Sequence, residues 1–223
     1  MSKKTQTQEG QAVGTAVSSF ESFLKSNQKL LTTIILAILI IIFAIFAINK
    51  WYLSPLKEEA KAQMFPAEQF FRADSFETAL NGDGNIMGFT QIIDQYGNKA
   101  GKAVYLYAGI CELQLGNNEK AVSYLTKYKG SDEILKGRAL SCIGDAYSNL
   151  GENAKALNYY TKAAKVADNM YAAQYLFKAG IISEEIGNKD QALKFYEEIS
   201  VKYPQTFEGY QVNKYISRIK NTK

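Results

Sequence analysis

Three stretches of this chain can be written beneath one another: LYAGICELQLGNNEKAVSYLTKY, SCIGDAYSNLGENAKALNYYTKA and FKAGIISEEIGNKDQALKFYEEI. Gly109, Gly144 and Gly180 fall in one column, separated by 35 and 36 residues. The triplets Leu115-Gly116-Asn117, Leu150-Gly151-Glu152 and Ile186-Gly187-Asn188 fall in the next, then Ala121, Ala156 and Ala192, then Leu125, Tyr160 and Tyr196. Each unit reads as two helices joined by a turn. The first glycine lets the paired helices approach closely. The second sits just past the first helix, where the chain needs a positive φ. The alanine keeps the second helix near the first, and the large residue four places on lies one turn along the same face. No such pair buries its own apolar face, so the units must stack. That requirement excludes most other ways of folding this part of the chain.

The pattern resembles the tetratricopeptide repeat, a helix–turn–helix unit of about 34 residues. Tyr105, Leu140 and Leu176 occupy its first large position, and Tyr147 its aromatic position. Glu112 and Ser183 depart from that aromatic, and only the last unit has the closing proline, Pro204 in KYPQ. The resemblance implies an all-α helical solenoid.

A second feature stands ahead of the repeats. Leu30 to Ile48, LLTTIILAILIIIFAIFAI, is 19 residues without a charge. At 1.5 Å per residue this length matches a bilayer core of about 30 Å, so the expectation is a single membrane helix. Lys25 and Lys29 flank one end, and Asn49, Lys50, Trp51 and Tyr52 the other, where Trp-Tyr suits the headgroup level. The run exceeds a cleaved signal's apolar core and has no convincing A-x-A site, so the segment reads as a retained signal anchor. Flanking lysines on both sides leave the positive-inside rule without a clear vote. A short amino-terminal tail and a long carboxy-terminal domain favour the amino terminus inside.

The rest of the chain divides around these features. Residues 1–29 read as a polar, disordered start followed by a short helix with Val13, Val17, Phe20 and Leu24 on one stripe. Residues 30–52 are the anchor. Residues 53–101 read as a linker helix and a degenerate first helical pair: a helix starting at Ser54-Pro55, kinked or divided at Pro66, stopped at Asn81-Gly82-Asp83-Gly84, then a helix from about Ile86 to Tyr96. The Asn-Gly-Asp-Gly stretch resembles part of a calcium loop, but without the full acidic ladder it reads as a turn. Residues 102–206 hold the three repeats. Residues 207–223 hold a capping helix with Val212, Tyr215, Ile216 and Ile219 on one face.

Little in the chain suggests chemistry. It has no histidine, so the usual acid/base near neutral pH and the commonest metal ligand are missing. Cys111 and Cys142 form no CxxC pair and read as small, half-buried apolar residues rather than a disulfide. Phosphate loops, GxSxG elbows, HExxH and dinucleotide fingerprints are absent. Adjacent pairs such as Glu58-Glu59, Glu184-Glu185 and Glu197-Glu198 point in different directions on a helix, so they make no acid/base dyad. The expectation is a non-enzyme with no cofactor and no metal site. A net charge of +4 with evenly mixed signs gives no basic face for nucleic acid.

Binding is the function that remains. A stacked array presents a concave face lined by the first helix of each unit. The candidate partner-binding residues are Leu106, Ile110 and Leu113 in the first unit and Arg138, Ser141, Asp145 and Asn149 in the second. Gln174, Phe177, Ile181 and Glu184 follow in the third. The face would be apolar at both ends and polar in the middle, suited to a peptide with separated apolar anchors. Leu106, Ile110 and Leu113 have a plainer reading as packing against the Phe70–Tyr96 region, and Phe177 and Ile181 as packing on the terminal helix. A Lys/Asn/Arg clamp for chain termini is not expected, because Leu106 and Ile110 stand where it would need donors.

The whole arrangement is similar to the bacterial ancillary Sec-translocon subunit family, also called cell-division coordinators. ADSFETALNGDG, GFTQIIDQYG and YLYAGICELQLGN look like its Bacteroidetes-type variant. The resemblance implies a single-pass inner-membrane protein with a periplasmic carboxy-terminal domain, whose partners are the translocon, periplasmic chaperones or nascent chains. Two other readings stand beside it: a structural scaffold for envelope or division complexes without client binding, and a cytosol-facing targeting receptor.

Overall fold

The computed structural model describes residues 24–221, and every regular element among them is helical. The chain divides into two units, residues 1–55 and 56–223. The expected disordered start and the stripe of Val13, Val17 and Phe20 lie outside the described residues.

In the first unit, helix α1 (Gln28–Ile48) has no buried residue, and among the described residues it forms the helix long and apolar enough to cross a membrane. A wide π turn follows at Asn49–Leu53, closed by a bond from Ser54 N–H to Asn49 O. Ser54 is itself helical (φ −68°, ψ −50°), so it is not the cap expected of it. Pro55 follows directly, so the widened turn falls where its ring enters the helix.

The second unit carries the array. Helix α2 (Ser54–Arg72) runs unbroken through Pro66, contrary to the expected division there. One missing N–H is outweighed by burial of Ala60, Met64 and Ala67 on the face that packs against the following helices. The break comes later, at Asp74, which adopts φ +55°. Asp74 N–H bonds Phe71 O and Ser75 N–H bonds Phe70 O, the pairing that ends a helix on a left-handed residue. Helices α3 (Phe76–Asn81) and α4 (Phe89–Tyr96) follow, and Tyr96 donates its hydroxyl to Glu59 Oε1 at 2.9 Å. Between them Asp83 Oδ1 accepts from the N–H groups of Asn85 and Ile86, which hold its carboxyl below its usual pKa. This is a turn, as expected, and among the described residues no cluster suited to a metal occurs.

Three helical pairs then stack in order. They are α5 (Ala103–Gln114) with α6 (Asn118–Leu125), α7 (Glu133–Asn149) with α8 (Asn153–Val166), and α9 (Tyr171–Glu185) with α10 (Lys189–Lys202). Gly116, Gly151 and Gly187 have φ of +81°, +73° and +78°, and each closes its first helix with the bond pair seen at Asp74. Asp74 is therefore the left-handed residue of a fourth, degenerate unit, with Ala67 where the later units have glycine and Ala79 in the alanine position. At Gly109, Gly144 and Gly180 an added Cβ would lie 2.5, 2.6 and 2.3 Å from Leu125, Tyr160 and Tyr196. The packing roles read from the sequence at both glycine columns are those the structure contains.

Helix α11 (Phe207–Asn221) closes the array. Val212 and Ile219 are buried, and Tyr215 and Ile216 are packed against the same cluster as Tyr196 and Ile199. This is the expected capping face. Cys111 and Cys142 are both free thiols.

Candidate functional site

The first helices of successive units share one face, and that face is indented. One depression is lined by Glu68, Phe71 and Arg72 of α2, Leu106 and Ile110 of α5, and Leu135 and Arg138 of α7. A second, about 460 Å³, reuses Ile110, Leu135 and Arg138 and adds Ser141, Asp145 and Gln174 among others. A third reuses Asp145 and Gln174 and adds Phe177, Ile181, Phe207, Glu208 and Gln211. Because each shares residues with the next, they form one groove crossing α2, α5, α7, α9 and α11.

Nine of the eleven residues expected on this face line it: Leu106, Ile110, Leu113, Arg138, Ser141, Asp145, Gln174, Phe177 and Ile181. Leu106, Ile110 and Leu113 serve two purposes. They are buried in the core with Leu125, Ile143 and Ala146, and they also form the groove floor. Their packing is thus mainly against α6 and α7, with Phe71 the contribution from the region before Tyr96. Phe177 meets Tyr215 of the capping helix edge-on at 5.0 Å, so it also packs there.

Asn149 and Glu184 do not line the groove. Asn149 Nδ2 donates to Asn118 Oδ1 at 2.9 Å, joining α7 to α6. Glu184 takes the Tyr196 hydroxyl at 2.8 Å and two bonds from Arg218 Nη2 at 2.6 and 2.7 Å. Both stand near the carboxy-terminal ends of their helices, where a neighbouring element of the array, before or after in the chain, is within reach. Asp145 lines the groove but is engaged in a similar tie. It accepts from the Tyr160 hydroxyl at 2.7 Å and from Lys178 Nζ at 2.7 and 2.9 Å. A carboxylate held between a tyrosine of its own unit and a cation of the next locks neighbouring units in register. The same geometry, one turn displaced, recurs at Glu184.

Arg138 is different. It is exposed in the groove and makes no ion pair or hydrogen bond among the described residues. Cys142 also lines the central depression, and burial, with Asp145 nearby, pushes its thiol up to about 11. A thiol held protonated is no nucleophile near neutral pH.

Sequence reasoning missed Leu135, Tyr171 and Phe207, all groove-lining and exposed. The signal was present: the three are spaced 36 residues apart, and Leu135 and Tyr171 each stand five residues ahead of the first large positions, Leu140 and Leu176.

The described elements form an all-helical stacked array that carries tetratricopeptide repeats, and such repeats make protein–protein contacts. Two family models, each described as tetratricopeptide repeat, match residues 138–170 and 174–206, which are the second and third units. The first unit, where Glu112 replaces the aromatic and α6 is only eight residues, is outside both matches. Among solved structures the chain is similar to "Crystal structure of MamA", at 18% identity and TM-score 0.56, covering 70% of this chain and 83% of that one. It is also similar to "Crystal structure of MamA protein", at 19% identity and TM-score 0.58, covering 74% and 84%. At these identities the likeness concerns the fold. No curated protein matches the chain.

Proposed function

We propose that this protein is a membrane-anchored adaptor, without enzymatic activity, whose repeat groove takes polypeptide segments of its partners. The observation that carries the reading is the continuous first-helix groove, in which Arg138, which has no carboxylate partner among the described residues, and several large apolar side chains are exposed. The anchor reading is supported by the uncharged run from Leu30 to Ile48 and its helix without a buried residue, with Trp51 and Tyr52 beyond it. Location of the array in the periplasm, beside the Sec translocon and its chaperones, rests on the resemblance of the whole arrangement to that family.

A reporter that is active only after export, fused behind Lys223, tests the compartment. Activity of that fusion, with silence of a cytosol-only reporter at the same site, is the expected result. The opposite pattern places the array in the cytosol and exchanges translocon partners for a targeting role.

A further inference from the structure

Three of the large exposed apolar residues of the array stand in register along the groove. Leu135, Tyr171 and Phe207 stand in the first turns of α7, α9 and α11, repeat every 36 residues, and are 39%, 48% and 76% exposed. Single exposed apolar residues need no explanation, but a row of large ones in register along one groove marks a surface that something covers.

Charge in the groove is equally specific. The two depressions that Arg138 lines contain the cations Arg72, Arg138 and Lys178 and the carboxylates of Glu68 and Asp145. Glu68 is beside Arg72 at 3.9 Å and Asp145 is bonded to Lys178 at 2.7 Å, so one cation remains without a carboxylate. Arg138 follows Leu135 by three positions and shares its helix face. Gln114, Gln174 and Gln211 line the same groove and offer both donors and acceptors to a peptide backbone.

We propose that the groove's occupant is an extended polypeptide segment with a carboxylate against Arg138 and apolar side chains on Leu135, Tyr171 and Phe207. The proposal rests on the reading of this face as the partner site and specifies its chemistry. Packed helices lie about 8–10 Å apart. An extended chain rises about 3.3 Å per residue, so successive apolar anchors fall about three residues apart. The acidic residue lies between the first two anchors. A guanidinium meeting a carboxylate there gains paired, charge-assisted hydrogen bonds that an amide cannot replace.

The test uses the full-length protein in detergent micelles and a fluorescein-labelled peptide with three leucines spaced three apart and a glutamate between the first two. A second peptide carries glutamine in place of that glutamate. Fluorescence anisotropy should show the glutamate peptide binding about tenfold tighter than the glutamine peptide, with the difference shrinking in high salt. Arg138→Gln should erase the difference and leave glutamine-peptide affinity within about twofold, which also shows that the variant is folded. Equal binding of the two peptides, or a preference that survives Arg138→Gln, overturns the carboxylate assignment and leaves the groove as a peptide site. Failure of both peptides to bind overturns the assignment together with the reading of the groove on which it rests.

Discussion

Tyr196→Ala should destabilise the repeat domain by about 3–5 kcal/mol, the range for truncating a large buried aromatic side chain. Tyr196 is 0% exposed. Its ring fills the space that Gly180 leaves open, and its centroid lies 5.8 Å from Phe177 and 5.4 Å from Tyr215. Removal of the ring therefore loosens the α9–α10 pair and the capping helix at once. Tyr196→Phe keeps the ring and loses the bond to Glu184, a change worth about 1 kcal/mol. Urea unfolding of the full-length chain in detergent, followed by far-ultraviolet circular dichroism at pH 8, measures both. A shift below about 1 kcal/mol for the alanine variant would contradict the packing described. The hydroxyl has a further consequence. Burial first, then the Glu184 hydrogen bond, raises the Tyr196 pKa above its ordinary 10.0, and burial with Asp145 does the same for Tyr160. A raised folded pKa contributes stability that is complete below the unfolded value and lost as pH rises from there through the folded value. The array should weaken above about pH 10, and Tyr196→Phe should lessen that alkaline loss.

Placing two arginines at the middle of the apolar run, Leu39→Arg with Ile40→Arg, should release the protein from the membrane. Each arginine at a helix centre costs about 2.5–3.5 kcal/mol on insertion scales, and each displaced Leu or Ile forfeits about 0.3–0.6. The pair thus removes about 6–8 kcal/mol, comparable to what all fourteen Leu, Ile and Phe of the run contribute at about 0.3–0.6 each. Carbonate extraction of membranes reads the outcome: the unaltered chain stays in the pellet and the double variant moves to the supernatant. Retention of the double variant in the pellet would mean that something other than α1 holds the chain there.

The repeat landmarks were legible because each is fixed by local geometry. Gly116, Gly151 and Gly187 must take a left-handed turn, and Gly109, Gly144 and Gly180 must admit a neighbouring side chain. The capping face of Val212, Tyr215, Ile216 and Ile219 was legible from its spacing alone. The degenerate unit was harder to place. Pro66 is the stronger local break signal, yet tertiary burial of Met64 and Ala67 carries the helix past it. The turn falls at Asp74, where no glycine marks it. The groove was legible in outline for the same periodic reason. What the sequence did not reveal is how its polar residues are spent. Asp145 and Glu184 looked available to a partner, but each is committed to a tyrosine and a cation 33 or 34 residues further along the chain. Pairings of that kind depend on the stacking of units, which no single segment encodes. Arg138, similar on paper, is left open because the carboxylates around it are already taken.

The central claim is that partners are taken along the first helices. Site-specific photocrosslinking in cells tests it most directly, with the probe at Gln174, which is exposed in the groove, and at Lys162, which is exposed on the second helix α8. Gln174 should give discrete protein adducts, identifiable as translocon subunits, periplasmic chaperones or nascent chains, and Lys162 should give far fewer. Equal yields from the two positions, or adducts from Lys162 alone, would contradict a groove-binding adaptor.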